Sequence, residues 1–446
     1  MIYYKKKIVM DRNKRLILNL LLWFSILMSS LYVYVRIFKN ILNPVPSGDE
    51  GSFLKVFNIF VNSGFSEANI YGNSTIFNCI AYLFYLLGFD SLTSLKITSL
   101  SFAVLSIILL CFLIEKYFNY LPRLYKNGIM LTSVNAMIVM SFIFTGINDI
   151  FMTFFTVLFF FIFYRIKGEK GNENAILYLY MGFIFALMLS TRKVSVLIFP
   201  TFAFVLGIFF YNQKLSFKLI FYKSLKILIS FLIGLLLFNY PSLKEKGTLS
   251  FHEKKIEQED VSWPQLQYLS AIWLEEGRVK YGEHCKPKDV VAYISENGNQ
   301  SLPNSILETI TFNIPRTIRT YVRETTYLIK PYTRLLGGIF ILGIFLFFRG
   351  ILKKEINLQK IINNEIVIFF INYSLIIVLI ICSYIEPRWL MPLIFLLPIL
   401  FFSYLYSFLN KLNIGNKIEF LVFGIHFLLL GLMNIKFFIN NYQFII

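Results

Sequence analysis

Charged residues are scarce in this sequence of 446 residues, where they make up only 15% of the chain. A soluble domain usually carries about 25% charged and about 45–50% apolar residues, whereas 57% of this chain is hydrophobic. The shortage of charge argues against a soluble domain, because the apolar residues also come in runs close to the ~20 that a membrane-crossing helix needs.

Cysteine is scarce as well, and the four cysteines are Cys79, Cys111, Cys285 and Cys382. Only Cys285 lies in a long polar stretch, so the sequence predicts no disulfide framework. The neighbouring His284 lacks partners at the spacing of a structural zinc site. A small-residue cleavage site is also missing after the first apolar run, which predicts a retained first span rather than a cleaved signal peptide.

Alternating apolar and polar positions, typical of strands in a membrane barrel, are lacking in the apolar runs. The stretch from Phe154 to Phe163 is continuous, and a helix is the other structure that satisfies its own backbone hydrogen bonds in lipid. We therefore predict an all-α transmembrane helical bundle of about eleven spans. The predicted spans cover residues 16–38, 93–117, 128–145, 150–166, 175–190, 194–211, 227–240, 335–348, 366–384, 389–409 and 418–438.

Acidic residues are fewer than basic ones, and the formal net charge is +18. In a membrane protein such an excess collects in cytoplasmic loops, so no nucleic-acid partner is expected. The basic N-terminus is placed in the cytoplasm by the same rule. Counting spans from it then puts five basic loops on that side, at residues 119–127, 167–174, 212–226, 349–365 and 410–417.

Polar stretches divide the chain into three predicted parts. Residues 1–240 form an N-terminal transmembrane module, 241–332 an extracytoplasmic segment, and 333–446 the C-terminal transmembrane helices. The first part contains an outer loop, 39–92, with two apolar stretches that are too short to span. We expect these stretches to be helices at the membrane surface, covering residues 52–62 and 74–88.

Acidic residues occur at two turns that the topology places outside. Asp49 and Glu50 follow a Pro- and Gly-containing turn and begin the first surface helix, where a carboxylate can cap the helix or act as a general base. Asp149 ends a short turn, where helix capping is again the simplest interpretation. Two acidic sites on one side of the membrane, Asp49 and Asp149, could instead position a sugar hydroxyl or share a divalent metal ion.

Basic residues at two other outer turns break the positive-inside trend. Arg192 and Lys193 lie in a tight turn between two spans, and Arg388 lies in a later turn. A phosphate at the membrane surface would account for them, because Arg offers a bidentate fork and Lys a point charge. The alternatives are lipid headgroups for the first pair and a local ion pair with Glu386 for Arg388.

The outer segment ends in a basic stretch with Arg316, Arg319 and Arg323, spaced three and four residues apart. In a helix this spacing aligns the side chains in one stripe, which we expect to face the membrane surface. The stripe suits an anionic lipid substrate, and it suits anchoring to headgroups equally well.

The order of these motifs resembles that of a known enzyme superfamily. One span is followed by the outer Asp-Glu turn and two surface helices, then by the turn at Asp149, a basic turn before Pro200, and Pro-Arg-Trp-Leu-Met-Pro at 387–392. This pattern is similar to that of the GT-C membrane glycosyltransferases, in the branch with protein O-mannosyltransferases and lipid A aminoarabinose transferases. The resemblance covers residues 16–240 and 335–409, and the outer segment matches no pattern of that family.

The resemblance implies an inverting glycosyltransferase of a bacterial inner membrane. Such enzymes move a sugar from a polyprenyl-phosphate carrier to a glycolipid, polysaccharide or protein acceptor on the outer face. It implies Asp49 as the base that deprotonates the acceptor, with Glu50 beside it and Asp149 as a second acid. A divalent metal ion is the one cofactor left open. The residues that would bind the carrier phosphate are Arg192, Lys193 and Arg388.

Two other functions fit parts of the sequence. A polysaccharide polymerase or ligase of the O-antigen type would also have many spans and a large outer segment, and it would depend on the loop arginines more than on Asp49. A non-enzymatic transporter of lipid-linked sugars would show internal repeats and charges at mid-membrane. The sequence shows no such repeat, and its charges lie at one predicted surface.

Overall fold

The computed structural model describes most of the chain. The described residues are 12–46, 48–72, 75–140, 142–168, 175–250, 261–280, 283–337, 364–380, 387–412 and 416–442, with isolated positions between 339 and 349. Every regular element among them is helical, which confirms the all-α prediction. The chain forms two compact units, which we call unit 1 (Met1–His252, Tyr332–Phe369 and Leu390–Ile446) and unit 2 (Glu253–Pro331 and Phe370–Trp389).

Unit 1 consists mainly of long apolar helices. They are α1 (Arg12–Ile37), α2 (Glu50–Tyr71), α3 (Thr75–Leu86), α4 (Ser91–Tyr117), α5 (Arg123–Val139), α6 (Asp149–Gly168), α7 (Ala175–Thr191), α8 (Phe199–Asn212) and α9 (Phe217–Lys246). Unit 2 contains α10 (Trp263–Glu275), α11 (Pro287–Asn297) and α12 (Ile306–Phe312). The sequences of two helices are divided between the units, and these helices are α13 (Ile314–Leu336) and α14 (Glu365–Ile380). The last two helices belong to unit 1, and they are α15 (Met391–Leu412) and α16 (Asn416–Tyr442).

Seven segments of the described residues are long and apolar enough to cross a membrane, which indicates a membrane protein. They are Arg12–Leu42, Ser91–Tyr117, Asp149–Gly168, Val194–Asn212, Phe217–Lys246, Arg388–Asn410 and Lys417–Asn440. Three further helices are also apolar but have only 10–17 residues. They are Thr75–Leu86, Ala175–Thr191 and Glu365–Ile377. The span predicted at 335–348 lies partly outside the described residues.

Helix α6 is the most buried of the seven segments. Its Phe-rich sequence is apolar on all sides, as is typical of a helix surrounded by other helices. The Phe159 ring stacks on Phe202 of α8 with ring centroids 4.0 Å apart, and the Phe160 ring packs edge-on against Phe369 at 5.2 Å. The core of unit 1 therefore lies around α6.

Small and polar residues join the helices around this core. Gly182 of α7 lies so close to the backbone carbonyl of Ile227 in α9 that a Cβ would clash with it. Between α1, α5 and α16, the side-chain amide of Asn434 donates to Ser29 Oγ at 2.8 Å and to Asn135 Oδ1 at 2.9 Å. Close approach at small residues and interhelical hydrogen bonds are the usual means of helix association in lipid.

The loop at 39–92, which we predict to be an outer loop, contains two helices, α2 and α3, as predicted. The first helical segment of α2 ends close to its predicted end at residue 62, because Gly64 adopts non-helical backbone angles, φ 84° and ψ −176°, and a second helical segment follows the kink and ends at Tyr71. Glycine accepts this conformation without the steric penalty of a Cβ. The loop is consequently more helical than its composition indicated.

Unit 2 has a hydrophobic core of its own. That core brings α10 and α11 together with the loop residues around them, and its members are Val261, Tyr268, Leu269, Ile272, Cys285, Val290 and Leu302. Unit 2 begins at Glu253, after the end of α9 at Lys246, and the extracytoplasmic segment predicted at 241–332 stays a prediction. The first stretch of unit 2 ends at Pro331, beside the predicted boundary at 332.

Candidate functional site

Glu50, the first residue of α2, is buried and takes part in two contacts. Its Oε1 lies 3.5 Å from Lys96 Nζ of α4, and the same oxygen accepts a hydrogen bond from the backbone N–H of Gly146 at 2.6 Å. Charge-assisted hydrogen bonds of this kind are among the stronger ones. Glu50 therefore ties the start of α2 to α4 and to the loop before α6.

Lys96 is the functional candidate that sequence reasoning missed. Its buried ammonium contacts Glu50 and also donates to the backbone carbonyl of Val45 at 3.3 Å. It thus holds the chain on both sides of Asp49. A signal was present in the sequence, because an ionisable residue inside an apolar span, such as Lys96 in the span predicted at 93–117, is a functional candidate by default.

Asp49 occupies the N-cap position of α2, but its side chain makes no capping hydrogen bond. Its backbone is already helical, with φ −71° and ψ −12°, whereas a capping residue is usually extended. Its backbone carbonyl accepts from Ser52 N at 3.0 Å. Helix capping, one of the two sequence interpretations, therefore does not account for this half-buried carboxylate.

Asp149 begins α6, and its buried carboxylate forms an ion pair with the guanidinium of Arg192. The neighbouring Asn148 donates from its side-chain amide to the backbone carbonyl of Thr191 at 2.5 Å. Both contacts join the start of α6 to the end of α7. The structure thus brings together two residues that the sequence analysis selected separately, one acidic and one basic.

The four residues 146–149 form the centre of the site. Glu50 of α2 holds Gly146, Ser99 of α4 donates to the carbonyl of Ile147 at 2.7 Å, and the end of α7 holds Asn148 and Asp149. We call this stretch the anchor loop. It connects the Glu50–Lys96 pair, which contacts Gly146, to the Asp149–Arg192 pair through four residues of chain, with equal numbers of positive and negative charges.

Arg36 of α1 is a further cation near this loop. Its guanidinium carbon lies 5.6 Å from the ring centroid of Phe144, two residues before the anchor loop. Its buried Nε has no hydrogen-bond partner among the described residues. Arginine keeps its charge at all physiological pH values, so this group remains available for an anion.

Two other predicted phosphate ligands are described only in part. The backbone of Lys193 begins a short 3₁₀ helix, Lys193–Leu197, but its side chain lies outside the described residues. Arg388 belongs to unit 2, in the 3₁₀ helix Pro387–Leu390, and it is half-buried. Glu386, its predicted local partner, lies outside the described residues, so that pairing stays a prediction.

The three outer arginines lie on one side of α13 within unit 2, as their spacing predicted. Arg316 Nε donates to Glu275 Oε2 at 3.0 Å, and the guanidinium groups of Arg319 and Arg323 lie 3.9 and 4.0 Å from the same carboxylate. Partial burial alone would lower the pKa of Arg316, but Glu275 and the Tyr268 hydroxyl raise it. One carboxylate is thus shared by three arginines.

Asp49 and Asp149 are the two acidic residues that could share a divalent metal ion according to the sequence. Among the residues that the structure describes, no group of three or more His, Cys, Asp and Glu side chains is arranged to hold a metal ion. A metal shared by only two carboxylates therefore stays a prediction.

Comparison of the chain with protein-family models, with curated proteins and with solved structures finds no match. The choice of function therefore depends on the geometry of the anchor loop and on the order of motifs along the chain.

Proposed function

We propose that the protein is an inverting glycosyltransferase that moves a sugar from a polyprenyl-phosphate carrier to a glycolipid, polysaccharide or protein. One observation carries the proposal. The anchor loop connects two buried ion pairs, and one of them contains Glu50, the neighbour in sequence of Asp49, whose side chain makes no capping hydrogen bond. Such an arrangement supplies a base and cations at one place, as transfer from a phosphate leaving group requires.

Asp49 is the proposed general base. It removes the proton from the acceptor hydroxyl while the hydroxyl oxygen attacks the anomeric carbon from the side opposite the phosphate. The configuration at that carbon is inverted as the bond to the phosphate breaks. Glu50 is the positioning residue in this scheme, because its contacts with Lys96 and Gly146 hold the start of α2 in place.

Arg192 and Arg36 are the proposed contacts for the carrier phosphate. A guanidinium has five N–H donors in a planar fork that suits carboxylate and phosphate oxygens, and Arg192 already lies at the anchor loop through its ion pair with Asp149. The Nε of Arg36, which has no hydrogen-bond partner among the described residues, supports the same role. The resemblance also implies Lys193 and Arg388 as phosphate ligands.

The proposal includes the number of membrane spans and their orientation. Helices α5, α7 and α14 are shorter apolar elements that would cross the bilayer beside the seven long segments, toward a total of about eleven spans. The N-terminus would lie in the cytoplasm of a bacterial cell, and the anchor loop on the outer side. Partners would be the lipid-linked donor, membrane lipid and the acceptor.

The decisive test is Asp49→Asn in the purified protein, incubated with a panel of polyprenyl-phosphate sugars and a membrane extract as the source of acceptors. We expect kcat to fall about 10²- to 10⁴-fold, as is usual when a general base is lost, with donor binding unchanged. Release of polyprenyl phosphate is the measurement. Glu67→Gln is the matched control, because Glu67 is an exposed carboxylate of the same helix.

Transfer at the rate of the unsubstituted protein by a folded Asp49→Asn variant would overturn the assignment of the base. The polymerase or ligase alternative predicts a different pattern. In that case substitution of the arginines around Glu275 in unit 2 would abolish activity, while Asp49→Asn would have little effect. The transporter alternative predicts that no donor is consumed in the presence of any acceptor.

A further inference from the structure

The outward side of α13 in unit 2 is apolar. Ile314, Ile318 and Val322 are 59%, 57% and 63% exposed. They recur every fourth residue, so they form one line along the helix surface. Isolated exposed aliphatic residues are normal on a protein, but a continuous line of them on one helix marks a surface that something apolar covers.

The inward side of the same helix is polar. Thr317, Thr320 and Glu324 are all buried, and the Thr317 hydroxyl donates to the carbonyl of Ile310 at 3.0 Å. A helix on the surface of a soluble domain has the opposite arrangement, with its apolar stripe toward the core. The inversion is the arrangement expected where the outward environment of a helix is less polar than water.

Arginines border the apolar line. Arg319 is the most exposed of the three, and together with Arg316 and Arg323 it shares the single carboxylate of Glu275. Even when the Glu324 carboxylate beside Arg323 is counted, this side of the helix keeps a positive excess. A line of aliphatic residues next to a row of arginines is the composition of a helix that lies in the interface of an anionic membrane.

The position of α13 in the chain fits the same environment. The helix ends at Leu336, where Gly337 has a left-handed φ of 60°, a conformation that ends helices. The following apolar run, predicted to span at 335–348, therefore need not continue the axis of α13. A surface helix connected directly to a membrane segment stays at the level of the lipid headgroups.

We propose that the face of α13 formed by Ile314, Ile318, Val322 and Arg319 binds the surface of the bilayer that holds the chain, with anionic lipid as its ligand. The aliphatic side chains enter the boundary between headgroups and acyl chains, and the arginines bind lipid phosphates. Unit 2 is thereby held against the membrane. The proposal is independent of the enzymatic activity proposed above.

The test uses the full-length protein in nanodiscs of phosphatidylcholine, with or without phosphatidylglycerol. Ile318 is replaced by the photoreactive residue p-benzoylphenylalanine, and illumination is followed by mass spectrometry of the adducts. The matched control carries the same residue at Val291, an exposed position on α11 of unit 2. We expect lipid adducts at residue 318 and not at 291, with a preference for phosphatidylglycerol.

A second variant tests the role of charge. Arg319→Gln should lower the yield of phosphatidylglycerol adducts at residue 318 by up to about fivefold, which corresponds to one arginine near an anionic surface. The yield in phosphatidylcholine alone should not change. Crosslinks from residue 318 to a second copy of the chain would overturn the proposal, and so would equal lipid yields at residues 318 and 291.

Discussion

Two ion pairs carry full charges into the interior of unit 1, Glu50 with Lys96 and Asp149 with Arg192. Removal of a charge from water is costly, and a buried pair often stabilises a fold no more than apolar residues of similar size would. The presence of two such pairs at one loop is therefore better explained by a role in function than by stability. One of the pairs contains Glu50, which directly follows Asp49, the proposed base.

Lys96→Met should destabilise the protein by about 3–5 kcal/mol, because it leaves Glu50 buried without its partner. The double substitution Lys96→Met with Glu50→Leu should recover most of that stability, since no charge is then left unpaired. Thermal unfolding in detergent is the measurement, and Lys55→Met, at an exposed lysine of α2, is the control.

The double variant also separates stability from function. If Glu50 and Lys96 position Asp49, a stable double variant should still transfer sugar poorly. Restoration of both stability and transfer would show that the pair is only structural.

At the scale of elements, glycine decides how closely two helices approach. A Cβ at Gly182 of α7 would clash with the Ile227 carbonyl of α9, whereas nothing in the described structure lies within 4 Å of a Cβ at Gly207 of α8. Both glycines lie inside apolar helices, so the two positions differ in their surroundings rather than in their local backbone.

Gly182→Ala is expected to destabilise the protein by about 1–3 kcal/mol, as overpacking usually does. Gly207→Ala should instead stabilise the protein by about 0.5–1 kcal/mol, because alanine loses less backbone entropy than glycine when the helix forms. Unfolding of the two variants under the same detergent conditions gives the comparison. Equal effects at the two positions would contradict the close contact between α7 and α9.

At the scale of the whole molecule, the positive-inside pattern predicts which ends of the helices share a side. Asn43, before the start of α2, and Gln213, after α8, should lie on opposite sides of the membrane. The Asn43→Cys variant should react with a membrane-impermeant maleimide in intact cells. The Gln213→Cys variant should react only after the membrane is permeabilised, with the unsubstituted protein as background.

Labelling of both cysteines in intact cells would contradict the prediction that residues 43 and 213 lie on opposite sides of the membrane. The anchor loop follows three predicted spans and Asn43 follows one, so both are placed on the same side, and the outer location of the anchor loop would then be lost together with the proposed access to a lipid-linked donor on that side.

The sequence by itself determined that the chain is helical and apolar enough to lie in a membrane, because composition and run length reflect the cost of backbone groups in lipid. It also singled out Asp49, Glu50, Asp149 and Arg192, since charges at short turns between apolar runs are conspicuous. The boundaries of α2 and α9 were less accurate. A second helical segment follows the kink at Gly64 in α2, and polar residues at both ends of α9 lie within that helix.

Only the tertiary structure decided which charges meet. Lys96 is 46 positions after Glu50, and Arg192 is 43 positions after Asp149, so neither pairing follows from local spacing. The structure also showed that the polar side of α13 faces inward and its aliphatic side outward. The helical pattern of α13 defines two faces, but the direction in which each face points depends on what packs against the helix, and that is a property of the folded chain.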